Sequence, residues 1–431
     1  MLNDNLTVVN KTEKKIVPDK KRNLRWVFIA LLLLGAIVNY LDRANLSIAN
    51  SVISKEFNLS PVEMGFLLSA FLWPYAIANL PAGWLVDKFG PKPMFAWASG
   101  LWSLVTVLCA FANSYSFLYG LRVLLGISES PFFTSGIKVT ERWFDKEERG
   151  LPTSIFNTGS QIANGIAPPL LTLLMLSLGW RGMSLCIGLA GFIVMFLWLK
   201  IYRDPEKTVY KSEKQESVRI PNEEQNKGKW ALLFKNKATW FMVIGNFGIV
   251  FTVWVYLTWL PGYLVEERHL SLLKTGWVAS IPYIAGIFGV ILGGIISDFF
   301  IKKGFKPITA RKIPIVGGAI LAAMSVAPVP HVQDITLSIT LLTIGYFAAS
   351  LPAGVVWTLA TDVAPTDQVA SLGAIQNFGG FLGAALAPVI TGFIVQITGS
   401  FNLVFLVGAA LLIVGAISYG VFLKDPIPSE S

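Results

Sequence analysis

Twelve apolar stretches of roughly 20 residues or more, spaced along nearly all of a 431-residue chain, leave few folds open to it. An apolar segment with no water around its peptide groups must bond them internally, and within one segment only a helix does so. The stretches fall at about 24–45, 61–85, 93–112, 116–139, 150–177 and 181–201, then 239–263, 272–300, 312–329, 333–360, 367–396 and 400–423. Charged residues make up 14% of the chain and hydrophobic ones 54%, whereas a soluble domain carries about 25% charged residues. The expected fold is therefore an all-α polytopic membrane protein with twelve transmembrane helices.

Charge placement orients the helices. The first 23 residues are polar and basic, with Lys11, Lys14, Lys15, Lys20, Lys21 and Arg22, and Arg25 marks the edge of the first span. No small-residue cleavage site follows, which predicts an uncleaved first span with a cytoplasmic N-terminus. Even-numbered connections are basic: Lys88 and Lys92, then Arg142, Lys146 and Arg149, then Lys302, Lys303, Lys306, Arg311 and Lys312. Opposite connections are short and poor in Lys and Arg, with Arg268 and Lys274 as exceptions. Both termini are thus expected in the cytoplasm. This distribution also accounts for the net charge of +9 without a nucleic-acid partner.

Residues 203–238 are hydrophilic and highly charged, and read as a cytoplasmic linker. The expected organisation is a cytoplasmic tail (1–23), a six-helix half (24–202), the linker, a second six-helix half (239–424) and a short cytoplasmic tail (425–431). The halves repeat. Gly65, Ser69, Gly83 and Asp87 on span 2 recur as Gly276, Ser280, Gly294 and Asp298 on span 8, each at an offset of 211 (276 − 65). Asn157, Gly159, Ala167 and Pro168 on span 5 recur as Asn377, Gly379, Ala387 and Pro388 on span 11, at 220 (377 − 157). Both pairs of spans differ by six, a parallel repeat of the kind that lets one half rock against the other around a central site.

Residues 83–92, Gly-Trp-Leu-Val-Asp-Lys-Phe-Gly-Pro-Lys, resemble the G-x-L-x-D-[RK]-x-G-x-[RK] signature of the major facilitator superfamily. NYLDRANLS at 39–47, RVLLGISESP at 122–131 and WFDKEERG at 143–150 are similar to its anion:cation symporter family, which includes bacterial sugar-acid permeases and vesicular glutamate transporters. GWRGM at 179–183, TWLPGYL at 258–264 and IQNFGGFLGAALAPVITGFIV at 375–395 look most like galactonate-type permeases. The resemblance covers nearly all of 24–424. It implies a secondary transporter in which the arginine of NYLDR holds the substrate carboxylate. It also implies that acidic residues on spans 1 and 4 carry protonation, linked by the span-4 arginine.

Four ionisable residues lie within spans of the first half: Asp42, Arg43, Arg122 and Glu129. A charge at mid-membrane costs ~2.5–3.5 kcal/mol on insertion scales, so it normally faces a polar interior. Tyr40 and Arg43, three residues apart, share a helix face, and a guanidinium matches a carboxylate in a bidentate way. Arg122 and Glu129 are seven apart, about 10.5 Å along the axis, too far to neutralise one another. One natural arrangement pairs Arg122 with Asp42 and leaves Glu129 deeper in the cavity as a proton carrier; a static ion-pair network is the structural alternative. Asp42 could belong to either. Two cavity carboxylates set a ceiling of two protons.

The second half offers hydroxyls, amides and indoles instead: Tyr256, Thr258, Trp259, Ser350, Trp357, Thr358, Gln376 and Asn377, with Tyr75, Asn157 and Gln161 from the first half. Such groups suit a polyhydroxylated substrate or simply glue helices together. The expected substrate set is Arg43, Tyr40, Tyr75, Gln161, Trp357 and Asn377; the proton-coupling set is Glu129, Asp42 and Arg122. Asp87, Lys88, Lys92, Arg149 and Asp298 form the expected gating set, with Arg149 as a candidate partner of Asp87. Pro131, Pro168, Pro169, Pro352 and Pro388 are expected kinks.

Several chemistries are excluded. The chain has no G-x-x-x-x-G-K-[ST] loop for ATP and no H-E-x-x-H. Its two histidines, His269 and His331, fall in connections, and Cys109 and Cys186 sit in apolar stretches. No cofactor, metal site or catalytic constellation is expected. The reading is a monomeric proton-coupled symporter in the bacterial inner membrane, importing a sugar-acid anion such as galactonate or a related hexuronate or aldarate. Alternatives are a carrier of another organic anion, such as a dicarboxylate, aromatic acid or amino-acid derivative, or a membrane sensor on the same scaffold.

Overall fold

The computed structural model describes residues 19–144, 148–204, 233–365 and 368–428. The first 18 residues, Lys146, linker residues 205–232 and the last three residues lie outside this set. All regular structure in it is helical, with no strand among the described residues. Span 1 is α1 (Asp19–Glu56). Span 2 is α2 (Pro61–Ser69) with α3 (Leu72–Phe89), and span 3 is α4 (Pro91–Cys109). Span 4 is α5 (Tyr115–Glu129) with α6 (Pro131–Trp143), and spans 5 and 6 form α7 (Gly150–Ile201). Spans 7 to 9 are α8 (Lys237–Glu266), α9 (Leu272–Lys302) and α10 (Pro307–Val326). Span 10 is α11 (Ile335–Ser350) with α12 (Val355–Val363), followed by α13 (Val369–Thr398) and α14 (Asn402–Ile417). These are the twelve spans in two halves of six.

The breaks have local causes. Pro74 lacks the N–H that would bond the Ala70 carbonyl, and span 2 is interrupted at Ala70–Phe71. Pro131 and Pro352 interrupt spans 4 and 10, which occupy equivalent places in the two halves. Pro168, Pro169 and Pro388, expected as kinks, sit inside helices that continue through them. Gly179, at φ 71° and ψ 171°, is where α7 turns from span 5 into span 6. A residue with a Cβ would be strained there.

The two halves meet chiefly through α2 against α13, α7 against α9, and α1 against α8. Two of these crossings are related by the repeat. A methyl group at Gly65 would sit 2.6 Å from the Pro388 carbonyl oxygen, and one at Gly276 would sit 3.1 Å from that of Pro168. The glycines of one repeated set therefore receive the proline carbonyls of the other. Among the described residues, three side-chain hydrogen bonds cross between the halves. They run from Ser47 Oγ to Thr258 O (3.0 Å), from Ser69 Oγ to Ala385 O (2.6 Å), and from Val62 N to Gln396 Oε1 (3.3 Å). All three lie toward the end of the molecule away from the basic connections. At the basic end the ion pairs among the described residues stay within one half. The molecule is thus closed at one end and parted at the other.

Arg268, an exception to the charge pattern, is tied down locally. Its guanidinium donates to Tyr263 Oη, the Val329 and Val332 carbonyls and Ser338 Oγ at 2.5–3.0 Å. An arginine held by a fold's own acceptors is a structural clamp, which explains its place on the sparsely basic side.

Candidate functional site

The parted end leads into an open cavity of about 770 Å³, counted with its mouth. Gln161 reaches it from α7, Asn246 from α8, Tyr346 and Trp357 from span 10, and Gln376 and Asn377 from α13. Most of its wall belongs to the second half. Deeper in, the lining passes to Tyr40, Arg43, Phe71 and Asn164 on one side and Trp254 and Thr258 on the other.

Arg43 Nε donates to Glu129 Oε2 at 2.8 Å, in a pair whose glutamate is fully buried and whose arginine side chain is 11% exposed. The guanidinium carbon lies 4.7 Å from the Tyr40 ring centre, 4.8 Å from Phe71 and 4.7 Å from Tyr75, an aromatic cage that favours the cation. Local sequence makes this meeting possible. Gly126 on α5 packs against the backbone at Phe71 and Tyr75, where any larger residue would collide, and Glu129 follows one turn later at the break before Pro131. Among the described residues, Glu129 Oε1, Arg43 Nη2 and both amide atoms of buried Asn39 lack a hydrogen bond of good geometry, although the Asn39 amide lies close enough to the Glu129 carboxylate to interact with it. A buried ion pair with unspent donors and acceptors is costly unless something else uses them. These atoms can take up a bound anion and a proton.

The four charges pair differently from the expected arrangement. Arg122 makes no ion pair with Asp42, although it lies within electrostatic range. Asp42 instead accepts a hydrogen bond from Thr106 on α4. Neighbouring residues on a helix point about 100° apart, so Arg43 faces the central cavity while Asp42 turns into its own half. Arg122 borders both spaces, with its Nε unpartnered.

Of the expected substrate set, Tyr40, Tyr75 and Arg43 cluster at the deep end, and Gln161, Trp357 and Asn377 line the wider part. The remaining second-half candidates divide. Gln376 and Ser350 line the cavity, and Thr258 its deep end. The Tyr256 hydroxyl donates to Leu342 O and Trp259 Nε1 to Pro388 O, so these two hold helices together, whereas Thr358 Oγ1 donates to Val355 O of its own helix. Asn157 donates to the Thr153 carbonyl of its own helix at 2.8 Å, while its repeat partner Asn377 faces the cavity.

The sequence reading passed over Asn39, Phe71, Thr106, Asn246 and Tyr346. Asn39 and Asn246 carried a usable signal, since an amide in an apolar span needs a partner. Thr106 did not, because a helix threonine can satisfy itself, as it also does here on Trp102 O.

The expected gating residues lie at the basic end. Asp87 pairs with Lys138 of α6 at 3.0 Å and not with Arg149. Arg149 is occupied by the Phe144 and Glu141 carbonyls at 3.1 and 3.0 Å, which corrects the anticipated pair. Lys88 Nζ lies 4.7 Å from the Trp84 ring, and the Lys92 carbonyl accepts from Trp198 Nε1 at 3.0 Å. Asp298 meets Arg311 at 3.2 Å, and Arg311 also reaches Asp362 at 3.2 Å.

Comparison with known proteins agrees with this architecture. The family profile described as Major Facilitator Superfamily matches residues 32–388. A probable L-galactonate transporter of Escherichia coli is 36% identical over 411 residues, covering 94% of this chain and 91% of its own. A probable galactarate/D-glucarate transporter of the same organism is 33% identical over 93% of this chain and 94% of its own. Among solved structures, a bacterial homologue of the human lysosomal transporter Spinster, inward-facing and unoccupied, superposes with a TM-score of 0.76 at 18% identity, over 93% of this chain and 95% of that one. With its helical spans, parted halves and cavity at their junction, the chain belongs to the Major Facilitator Superfamily and is a membrane transporter, not an enzyme.

Proposed function

We propose that this transporter is a proton-coupled symporter that imports a sugar-acid anion, an aldonate such as galactonate or a related hexuronate or aldarate, across the bacterial inner membrane. The observation that carries the reading is the buried Arg43–Glu129 pair at the foot of a cavity otherwise walled by neutral amides, hydroxyls and an indole. A carboxylate substrate competes with Glu129 for the same guanidinium. If Glu129 takes a proton, Arg43 is released to bind the anion through two parallel hydrogen bonds. Gln161, Asn377 and Trp357 then meet the hydroxylated chain, with Tyr40 and Tyr75 holding Arg43 in place. The similarity to the galactonate and galactarate/D-glucarate carriers supports a sugar acid as the cargo.

In this reading the basic end is cytoplasmic, with both termini there, and the conformation faces inward. The units 24–202 and 239–424 rock about the cavity as two bodies in a monomer. Asp87, Lys88, Lys92, Arg149 and Asp298 act when the cytoplasmic end closes. One proton per monovalent anion makes transport electroneutral, driven by ~1.4 kcal/mol per pH unit. A second proton on Asp42 would add ~2.3 kcal/mol per 100 mV of membrane potential.

The test is uptake into liposomes with an imposed pH gradient, across aldonates, aldarates, hexuronates and simple dicarboxylates. Accumulation of one sugar acid, abolished by a protonophore, is the expected result. Accumulation that ignores the protonophore overturns proton coupling, and accumulation of only simple dicarboxylates overturns the substrate class.

A further inference from the structure

Asp42 and Glu129 occupy different compartments. Glu129 meets Arg43 beside the central cavity, whereas Asp42 lines a small pocket wholly inside the first half. Asn45 from α1, Cys109 from α4, Arg122 from α5, and Trp180 and Ser184 from α7 complete its polar and reactive lining. The space is on the order of one water molecule. Arg122 is 5% exposed, and its Nε, which has no hydrogen-bond partner among the described residues, is free to donate to a molecule of that size.

The pocket extends toward the end of the molecule where the halves are closed. It stops beneath Ile53, Leu118 and Trp180, all buried. Immediately beyond them stands a carboxylate open to solvent. Glu56, with a side chain 37% exposed, accepts from Trp180 Nε1 at 2.7 Å and pairs with Arg181 at 2.6 Å. Inside the seal, Asn45 Nδ2 donates to Ser184 Oγ at 3.0 Å, which donates to the Trp180 carbonyl at 2.9 Å. Glu56, Trp180, Ser184 and Asn45 thus run from the closed face to Asp42, none of them lining the central cavity, which this pocket meets only at Leu46 and Arg122. The groups facing Asp42 are Thr106 and Cys109 from α4, Arg122 and, within electrostatic range, Glu129 from α5, Ser184 and Trp180 from α7, and Arg43 and Asn45 from its own helix.

We propose that Asp42 exchanges its proton with the outer side through this pocket, past Trp180, while the central path is shut at that side. A hydronium ion at Glu56 passes a proton to the pocket water, which passes one to the Asp42 carboxylate. The products are a neutral carboxylic acid and water. The two acids are then loaded by separate routes, Glu129 from the substrate cavity and Asp42 from within the first half. Naming the closed side as outer rests on the proposed function; the route itself does not.

The experiment is an external pH jump on proteoliposomes with the protein inserted in one orientation or the other. The carboxylic-acid carbonyl band of Asp42 is followed by infrared difference spectroscopy, with Asp42→Asn as the subtraction. The expected result is fast protonation from the face bearing Glu56, slowed at least tenfold by Asn45→Leu and accelerated several-fold by Trp180→Ala. Ser184→Ala, which changes little volume, should slow the same step and covers the case of a misfolded Asn45 variant. Protonation from that face at an unchanged rate in all three variants overturns the route. Protonation from the basic face alone also overturns it. If the topology were inverted, only the orientation labels would exchange, and the effects of the three variants would stand.

Discussion

The two halves share a scaffold and differ in chemistry. Each breaks its fourth span at an equivalent place, and each sends a proline carbonyl into a glycine of the other, Pro388 to Gly65 and Pro168 to Gly276. Yet Asp42, Arg43, Arg122 and Glu129 all belong to the first half, while the second lines the cavity with Asn246, Tyr346, Trp357, Gln376 and Asn377. Duplication preserved what the backbone needs to pack and left the cavity side chains free to diverge. Charge that must be neutralised in a low dielectric is kept within one rigid unit, where its partners keep their distance. Neutral donors and acceptors, which tolerate a change of partner, line the facing surface of the second half.

The largest expected effect falls on the charged half. Arg43→Ala leaves Glu129 buried without a partner, a loss of about 3–5 kcal/mol for a buried pair, and substrate affinity should fall about 100-fold or more. Calorimetric binding and thermal unfolding separate the two consequences, and Arg43→Lys should rescue little because the fork is lost. Next comes Glu129→Gln, expected to abolish proton-driven accumulation while keeping counterflow exchange. Equal loss of both activities would make Glu129 purely structural and remove the main chemical contrast between the halves.

The shared scaffold is tested by Gly65→Val and Gly276→Val. Overpacking costs about 1–3 kcal/mol, so each should shift the protein toward opening at its closed end and lower uptake about tenfold. An added Cys at Asn377 should become reactive from that end. Strongly unequal effects would show that the crossings are not equivalent. The repeat partners Asn377 and Asn157 give a sharper contrast. Asn377→Ala should raise KM about tenfold, the worth of a hydrogen bond of about 1.4 kcal/mol, and Asn157→Ala should leave KM unchanged because its amide serves its own helix. Smallest is Asp87→Asn: its carboxylate is 67% exposed, and the Lys138 pair should contribute less than about 1 kcal/mol to thermal stability.

Much of the scaffold was legible in the chain. Spans, basic connections and the two repeated sets are matters of composition and spacing along one axis. The boundary between spans 5 and 6 was placed within a few residues of Gly179, since a short polar interruption is visible in the string. The break in span 2 was missed because Pro74 lies in an otherwise apolar run, and proline alone does not distinguish an interruption from a continuous helix, as Pro168, Pro169 and Pro388 demonstrate. Within the site, the four charges announced themselves by their insertion cost, but their partners did not. Which of two adjacent residues, Asp42 or Arg43, meets Glu129 depends on the rotation of α1 against α5, and the close approach at Gly126 helps to set that. Likewise Arg149 looked free in the sequence and is held by carbonyls of the connection it follows.

The sequence by itself determined that this chain spans a membrane, that it is built as two related halves, and that its buried charge lies in the first. Those properties follow from transfer free energies and helix periodicity, which act residue by residue. Only the tertiary structure decided that Arg43 binds Glu129, that Asp42 turns away into a pocket of its own, and that the halves close at one end and part at the other. Pairing of this kind depends on how helices distant in sequence rotate and approach, and backbone contacts at a few small residues govern that approach.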